Sequence, residues 1–339
     1  MNNTNQPFAL SLVVPCFNEE GNVARFQQEA LRVIAPTGMS FEIVFVDDGS
    51  QDRTMANLKA LWDSQACPMQ IIRFSRNFGK EAAILAGLRA AKGEWITLVD
   101  GDLQQPLETV LEMIHILQTE PEYDCVAAYQ QKRRENTLQK RPKSLFYRMI
   151  NRFSEVDFVE NASDFRTMRR SVVEALLKLT EYHRFSKGLF SWVGFATKYI
   201  PYTVRDRASG ETKWSLVKLF RYGWDGILSF STTPIKIAIY LGLICAALSF
   251  VYFILTLVQK IFFSIAVPGY ATIVCLILLV GGLQLFFLGV IGEYIGRIYI
   301  QAKRRPNYLI KEHWIWQENE KGSVTNATGT KGQDVGGRS

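Results

Sequence analysis

Two aspartates one residue apart, Asp100 and Asp102 in "LVDGDLQQP", close an apolar run. On an extended chain alternate side chains share a face, so this spacing aims both carboxylates at one point. Like charges held that close repel unless they share a proton or a cation. With the Gln104 carboxamide two residues further on, the set suits a hard divalent ion, Mg2+ or Mn2+, which prefers oxygen ligands. Such an ion takes one or two protein carboxylates and completes its shell from phosphates and water. It would neutralise charge on a departing diphosphate. A lone D-x-D is also an ordinary acidic turn, so the reading depends on what surrounds it.

The surroundings are a series of strand ends. "FALSLVVPCF", "FEIVFVDDGS", "MQIIRFS", "WITLVD" and "DCVAAY" read as strands, separated by helix-like segments at 20–34, 52–65, 79–92 and 106–118. Continuous apolar strands alternating with helices imply a mostly parallel sheet covered on both faces. Ligands of such sheets collect at the carboxyl ends of the strands. "PCFNEE", "DDGSQDRT", "SRNFGKE" and "DGDLQQP" all fall there and outline one site. Asp47, in "VFVDDGS", belongs to an ordinary turn sequence, yet at the edge of that pocket it would accept hydrogen bonds from a base N–H or a ribose hydroxyl. Neither G-x-G-x-x-G nor the Walker A pattern is present, which argues against a dinucleotide enzyme or a P-loop NTPase.

The second half of the chain has a different character. Ile237 to Val258 and Ala271 to Gly292 are two stretches of 22 residues without a charge, each long enough for a bilayer core of about 20 residues. Lys218, Arg221 and Lys236 precede the first; Arg297, Lys303, Arg304, Arg305 and Lys311 follow the second; the intervening loop has only Lys260. That asymmetry places both termini in the cytoplasm. The apolar run at the start is broken by Pro15 and lacks a basic lead, so no signal peptide is expected. The net charge of +7 suits anionic lipid headgroups, and no arginine-rich block argues for nucleic acid. Five scattered cysteines without a C-x-x-C pair give neither a disulfide framework nor a zinc site.

The ordered motifs "VVPCFNEEGNV", "VDDGSQDRT", "RNFGKEAAILAG" and "DGDLQQP" resemble family 2 glycosyltransferases of the GT-A fold. "SDFRTMRR", "RFSKGLFSWVGF" and "RASGETKWSLVKL", followed by two apolar spans, narrow the resemblance to polyprenyl-phosphate glycosyltransferases of the bactoprenol glucosyltransferase and dolichyl-phosphate mannose synthase kind. By that resemblance Pro15, Asn18, Glu19 and Asp47 surround the donor nucleoside, and Asp100, Asp102 and Gln104 bind the metal. Arg207 and Lys213 belong to a mobile loop reaching the donor diphosphate. Asp164 lies at the reacting centre, either as a general base or as a group that orients Arg166 or the sugar. Arg133, Arg141 and Arg148 are the candidates for the acceptor phosphate, without a choice among them.

The organisation expected is a GT-A domain over 1–214, an interfacial amphipathic helix over 215–234, a transmembrane hairpin over 235–300 and a cytoplasmic tail over 301–339 with a disordered end. The reaction the resemblance implies is inverting transfer of a sugar, glucose first, from a UDP-sugar to undecaprenyl phosphate. It would run at the cytoplasmic face of a bacterial inner membrane, in a homo-oligomer. The alternatives are another donor (UDP-GlcNAc, UDP-galactose or GDP-mannose) or a catalytically inactive membrane scaffold. A processive synthase is disfavoured, because Q-x-x-R-W is absent and there are only two spans.

Overall fold

The computed structural model describes residues 8–130, 162–204, 233–263 and 269–316. They fall into two compact units, one holding residues 8–130, 162–204 and 306–316, the other 233–263 and 269–305.

The first unit is built on strands β1 (Phe8–Cys16), β2 (Phe41–Asp47), β3 (Met69–Phe74), β4 (Gly93–Leu98), β5 (Cys125–Gln130), β6 (Ala162–Arg169), β7 (Thr197–Tyr202) and β8 (Ile310–Ile315). They form one sheet in the order β7-β5-β6-β4-β1-β2-β3-β8. Only β6 and β8 run against the rest. Helices α1 (Val23–Val33), α2 (Thr54–Ser64), α3 (Lys80–Ala90) and α4 (Glu108–Thr119) connect the first five strands, close to the four helical segments expected. After β6 come α5 (Arg170–Lys178) and the short α6 (Ser186–Trp192).

The central strands are predominantly apolar because both faces are covered, with Ser11, Glu42 and Gln70 buried among them and hydrogen-bonded to one another. Leu10, Leu12 and Val14 of β1 pack with Phe26 of α1, Leu58 of α2 and Met113 of α4. On the opposite face Val13 meets α3 so closely that a Cβ on Gly87 would collide with its side chain. Turn chemistry brings the loops together. Gly49 has φ +70°, and a Cβ there would lie 2.5 Å from the Arg76 carbonyl carbon. Only glycine allows the β2–α2 loop to touch the β3–α3 loop in this way.

Two features depart from the sequence reading. "DCVAAY" does form a strand, β5, but it is separated from β4 by the antiparallel β6, which carries "SDFRTMR". Residues 310–315, read as part of a tail, return to the sheet and pair antiparallel with β3. Their sequence, "IKEHWI", lacks a continuous apolar run because an edge strand has a solvated side.

The second unit contains α7 (Thr233–Phe263) and α8 (Tyr270–Ala302). Windows at Ile235–Tyr252 and Leu279–Ala302, with mean hydropathy 2.0 and 1.5, are long and apolar enough to cross a membrane. Leu243, Leu248, Phe250, Leu279, Leu285 and Leu288 are each exposed, a surface that water disfavours.

Candidate active site

The loops at the carboxyl ends of β1 and β2 are tied together by side chain to backbone bonds. Asn18, in the left-handed region at φ +56°, donates its N–H to Ser50 Oγ at 2.9 Å and accepts from the Gln51 N–H at 3.0 Å. The Glu19 N–H reaches Thr54 Oγ1 at 2.8 Å. Pro15 lies just before this junction, at the end of β1. Glu19 accepts from the Asn22 amide at 2.5 Å. Burial raises its carboxyl above the ordinary range, the Asn22 bond pulls it back, and Asp102 and Asp100 push it up again. Negative charge is therefore concentrated here.

The adjacent aspartates that end β2 have separate tasks. Asp47 is fully buried; its Oδ1 accepts from the Ser50 N–H at 3.0 Å, and Arg73 Nε lies 3.5 Å from its Oδ2. Asp48 turns the other way and accepts the N–H groups of Phe78 and Gly79 at 2.6 and 2.9 Å. Burial lifts the Asp48 carboxyl, against the pull of those two donors. It anchors the backbone that starts α3.

The residue that α3 presents first is Lys80. Its Nζ lies 2.7 Å from Asp100 Oδ1 and 3.1 Å from Asp164 Oδ2. Asp100 comes from the turn after β4 and Asp164 from β6, so one ammonium joins three elements. Burial lowers the Lys80 ammonium, but the two carboxylates outweigh it and leave it above the ordinary range. For Asp164, burial raises the carboxyl, and Lys80, Lys187 and Arg166 overcome that and hold it below. Lys187 itself is lowered by burial, with Asp164 opposing. Arg166 is buried, donates to the Ser163 carbonyl at 3.2 Å and stacks 3.7 Å from the Phe190 ring centroid. Asp164 thus has an ion pair with Lys80, and the charge of Arg166 acts on it as well.

The D-x-D turn is held from within. β4 ends at Leu98, so Asp100 and Asp102 lie in a turn beyond it, not on an extended strand. Leu103 adopts a left-handed φ of +61°. Gln105, which is buried, donates to Asp100 Oδ2 at 3.0 Å and accepts the Asp100 N–H at 2.8 Å. Gln104 reaches Asp102 Oδ1 through its backbone N–H at 3.1 Å.

Beside this cluster, Glu81 accepts the Ser186 N–H at 3.0 Å and also the Ser186 hydroxyl, fixing the start of α6. Burial pushes the Glu81 carboxyl up to about 7, Ser186 opposes, and Asp164 adds to the rise.

No group of three or more His, Cys, Asp or Glu side chains fit to hold a metal occurs among the described residues. The donor set is two carboxylates, one of them braced by Lys80 and Gln105. That fits a Mg2+ or Mn2+ ion completed by substrate phosphates, and does not fit an all-protein cage. Arg133, Arg141, Arg148, Arg207 and Lys213, with the expected interfacial helix, lie outside the described residues. Lys80, Glu81, Gln105, Ser186 and Lys187 were not singled out from sequence. The signal for Lys80 was its place directly after the glycine turn of "RNFGKE" at a strand end.

Residues 11–177 match the family model for Glycosyl transferase family 2, and residues 233–298 that for the GtrB C-terminal hairpin. The chain is 42% identical over 304 residues to the putative glycosyltransferase CsbB of Bacillus subtilis (strain 168), covering 89% of this chain and 91% of that protein. It is 40% identical over 304 residues to the prophage bactoprenol glucosyl transferase homolog of Escherichia coli (strain K12), covering 89% and 98%. Among solved structures, a glucosyl-3-phosphoglycerate synthase from Mycobacterium tuberculosis aligns with 66% of this chain and 78% of its own, at TM-score 0.42 and 19% identity. That likeness is too loose to bear on ligand or metal. The curated relatives align along nearly the whole of both chains, over a GT-A-like, mostly parallel sheet with acidic turns at its carboxyl edge. The chain is therefore a glycosyltransferase that belongs to Glycosyl transferase family 2, carries a GtrB-type C-terminal hairpin and is homologous to bactoprenol glucosyl transferases.

Proposed function

We propose that this enzyme transfers a sugar, glucose in the first instance, from a UDP-sugar to the phosphate of a polyprenyl lipid such as undecaprenyl phosphate, with inversion. The observation that carries the reading is the bridge made by Lys80 between Asp100 and Asp164. It ties the turn suited to a nucleotide diphosphate to the acidic residue suited to the reacting centre. Further support comes from relatives named bactoprenol glucosyl transferase at about 40% identity and from two helices of membrane-spanning length and composition.

In this reading Asp47, Asn18 and Glu19 face the nucleoside, with Pro15 shaping the loop that holds them. Asp100 and Asp102, with Gln104 beside them, hold Mg2+ or Mn2+. A bound ion supplies charge neutralisation to the diphosphate as it leaves. Lys80 keeps Asp100 pointed at that ion and offsets the charge of Asp164. Arg207 and Lys213 close over the diphosphate, and the acceptor phosphate is held by Arg133, Arg141 or Arg148. A lipid phosphate has its second pKa near about 6 and is largely dianionic at neutral pH, so it attacks the anomeric carbon without first losing a proton. Asp164, ionised and paired, then orients the sugar and Lys80 and need not remove a proton. The two helices span the inner membrane, with the catalytic unit and both termini cytoplasmic and the enzyme assembled as a homo-oligomer.

The test is transfer of label from radiolabelled UDP-glucose to undecaprenyl phosphate by the purified chain, with and without Mg2+ or Mn2+ and with Asp102→Asn as control. Metal-dependent lipid labelling that the variant loses supports the reading. Labelling from a different nucleotide sugar alone corrects the donor. No labelling from any donor, with metal and lipid present, overturns it in favour of a scaffold.

A further inference from the structure

Helix α3 begins with two charged residues, and each holds a different part of the site. Lys80 joins Asp100 to Asp164. Glu81, next to it, reaches instead to Ser186 at the start of α6. The five residues that follow, Ala82 to Ala86, are all buried, so the acidic group stands at the edge of a face closed to water. Burying a carboxyl costs free energy unless hydrogen bonds offset it, and Glu81 makes two with one atom. Its Oε2 accepts the Ser186 N–H at 3.0 Å and the Ser186 hydroxyl as well. The first N–H groups of a helix have no partner within it, and Phe185, the residue before α6, offers no side-chain cap. Glu81 therefore caps α6 from another element.

The far side of α6 is tied to β6. The Arg166 guanidinium lies 3.7 Å from the centroid of the Phe190 ring, and Arg166 is two residues from Asp164 on the same strand, where alternate side chains share a face. Ser186, Leu189 and Phe190 are all buried. With α6 held at Ser186 by α3 and at Phe190 by β6, Lys187 falls between the two anchors. Lys187 is only partly buried, and its charge acts on Asp164 together with those of Lys80 and Arg166. Among charged groups, Asp164 acts most strongly on Lys187 in return.

We propose that Glu81 is a positioning residue for the transfer step: by capping Ser186 it fixes α6 where Lys187 stands at the reacting centre. The proposal rests on the reading of Asp164 as the acidic residue of that centre. An incoming phosphate dianion is repelled by Asp164, and Lys80 is already divided between Asp164 and Asp100. Lys187 supplies the further positive charge that lets the dianion approach. Such a charge is effective only when it is held in place beforehand, and a displacement of about 1 Å can cost about a hundredfold in rate. Without Glu81 the first turn of α6 loses its cap, and Lys187 its fixed place. The donor nucleoside, read as lying at the loops after β1 and β2, does not depend on this contact.

The experiment measures kcat, donor and acceptor KM, and UDP affinity by calorimetry, on the purified full-length chain in detergent with the nucleotide sugar that labels undecaprenyl phosphate. Lys187→Met is expected to lower kcat about a hundredfold and Glu81→Ala about tenfold, each with UDP affinity within about twofold. Glu81→Gln, whose amide oxygen accepts from Ser186, recovers most of the Glu81→Ala loss. The double variant traces the route. If Glu81 acts through Lys187, Glu81→Ala costs nothing further in Lys187→Met, whereas a merely structural role multiplies the two losses. Ser186→Ala breaks the hydroxyl bond from the other side and gives a smaller loss that also vanishes in Lys187→Met, so it serves if Glu81→Ala does not fold. Multiplied losses, a Glu81→Gln as slow as Glu81→Ala, UDP affinity falling with kcat, or wild-type kcat in both Glu81→Ala and Ser186→Ala overturns the proposal. Asp164→Asn separates the two levels. If it leaves transfer intact, the reading of Asp164 is wrong and the proposal falls with it; if it lowers kcat while Glu81→Ala does not, only the positioning role is lost.

Discussion

Lys80 Nζ stands 2.7 Å from Asp100 and 3.1 Å from Asp164, so a single ammonium couples the D-x-D turn to the acidic residue of β6. Lys80→Met leaves two neighbouring carboxylates uncompensated. Loss of a preorganised charge at such a site costs about 10²–10³ in rate, and kcat/KM for sugar transfer should fall by that order. Lys80→Arg keeps the charge but not the compact ammonium, and should recover part of the loss. Wild-type kcat/KM in Lys80→Met would show the bridge to be incidental.

Gln105 deserves the same test as the aspartate it holds. Its carboxamide binds Asp100 twice, through the side chain and the backbone N–H. Groups that orient a metal ligand typically contribute about 10–100-fold in affinity or activity. Gln105→Leu should therefore weaken Mn2+ binding, followed by electron paramagnetic resonance titration in the presence of UDP, by about tenfold. Unchanged Mn2+ affinity would mean that Asp100 keeps its aim without Gln105.

How far the sequence reveals this site depends on the kind of interaction. β1 and β2 are legible because both faces are covered and their residues are apolar apart from Ser11 and Glu42, up to Asp47 at the end of β2. Asp100 and Asp102 stand out as acidic groups at the end of such a run. Gln104 is named by the resemblance, whereas nothing in the spacing points to Gln105. β4 stops at Leu98 and Leu103 turns left-handed, so period-two reasoning no longer says which carboxamide reaches Asp100. Lys80 is hidden for another reason. Its two partners lie 20 and 84 positions away, and only the order β6-β4-β1 brings them to the start of α3. The strand β8 is hidden because its sequence, with Lys311, Glu312 and His313, is too polar to announce itself.

The junction at Gly49 makes a prediction of its own. With φ at +70° and the Arg76 carbonyl carbon 2.5 Å from any Cβ, Gly49→Ala must move the loop that leads into Lys80. A strained left-handed alanine with a backbone clash costs about 2–4 kcal/mol. Melting in detergent should fall by several degrees, and activity should fall with it. A variant with unchanged melting temperature would show that the two loops separate at little cost.

Glu81 gives stability a pH dependence whose sign is fixed. Its carboxyl sits at about 7 in the folded chain against an ordinary 4.5, so the folded state holds the proton more tightly than the unfolded one. The associated stability is fully present below about pH 4.5, falls as pH rises and is gone above about pH 7. Glu81→Gln, which keeps the amide in place of the acid, removes this slope. The difference in melting temperature between wild type and Glu81→Gln should change between pH 5 and pH 7 and level off above. A difference constant across that window would place the Glu81 carboxyl in the ordinary range.

Asp164 titrates in the opposite direction. Burial alone would raise it, but Lys80, Lys187 and Arg166 hold it below the ordinary carboxylate value, so it remains ionised throughout the neutral range. A general base is most effective when its pKa lies near the working pH, and Asp164 is far below that. Its worth must then be positional and electrostatic. Asp164→Asn should lower kcat by about 10²–10³, and the ratio of wild-type to variant kcat should stay flat from pH 5.5 to pH 8. A ratio that collapses toward the acid side, with a midpoint near neutrality, would mean that Asp164 gains a proton in the working enzyme and acts as its base.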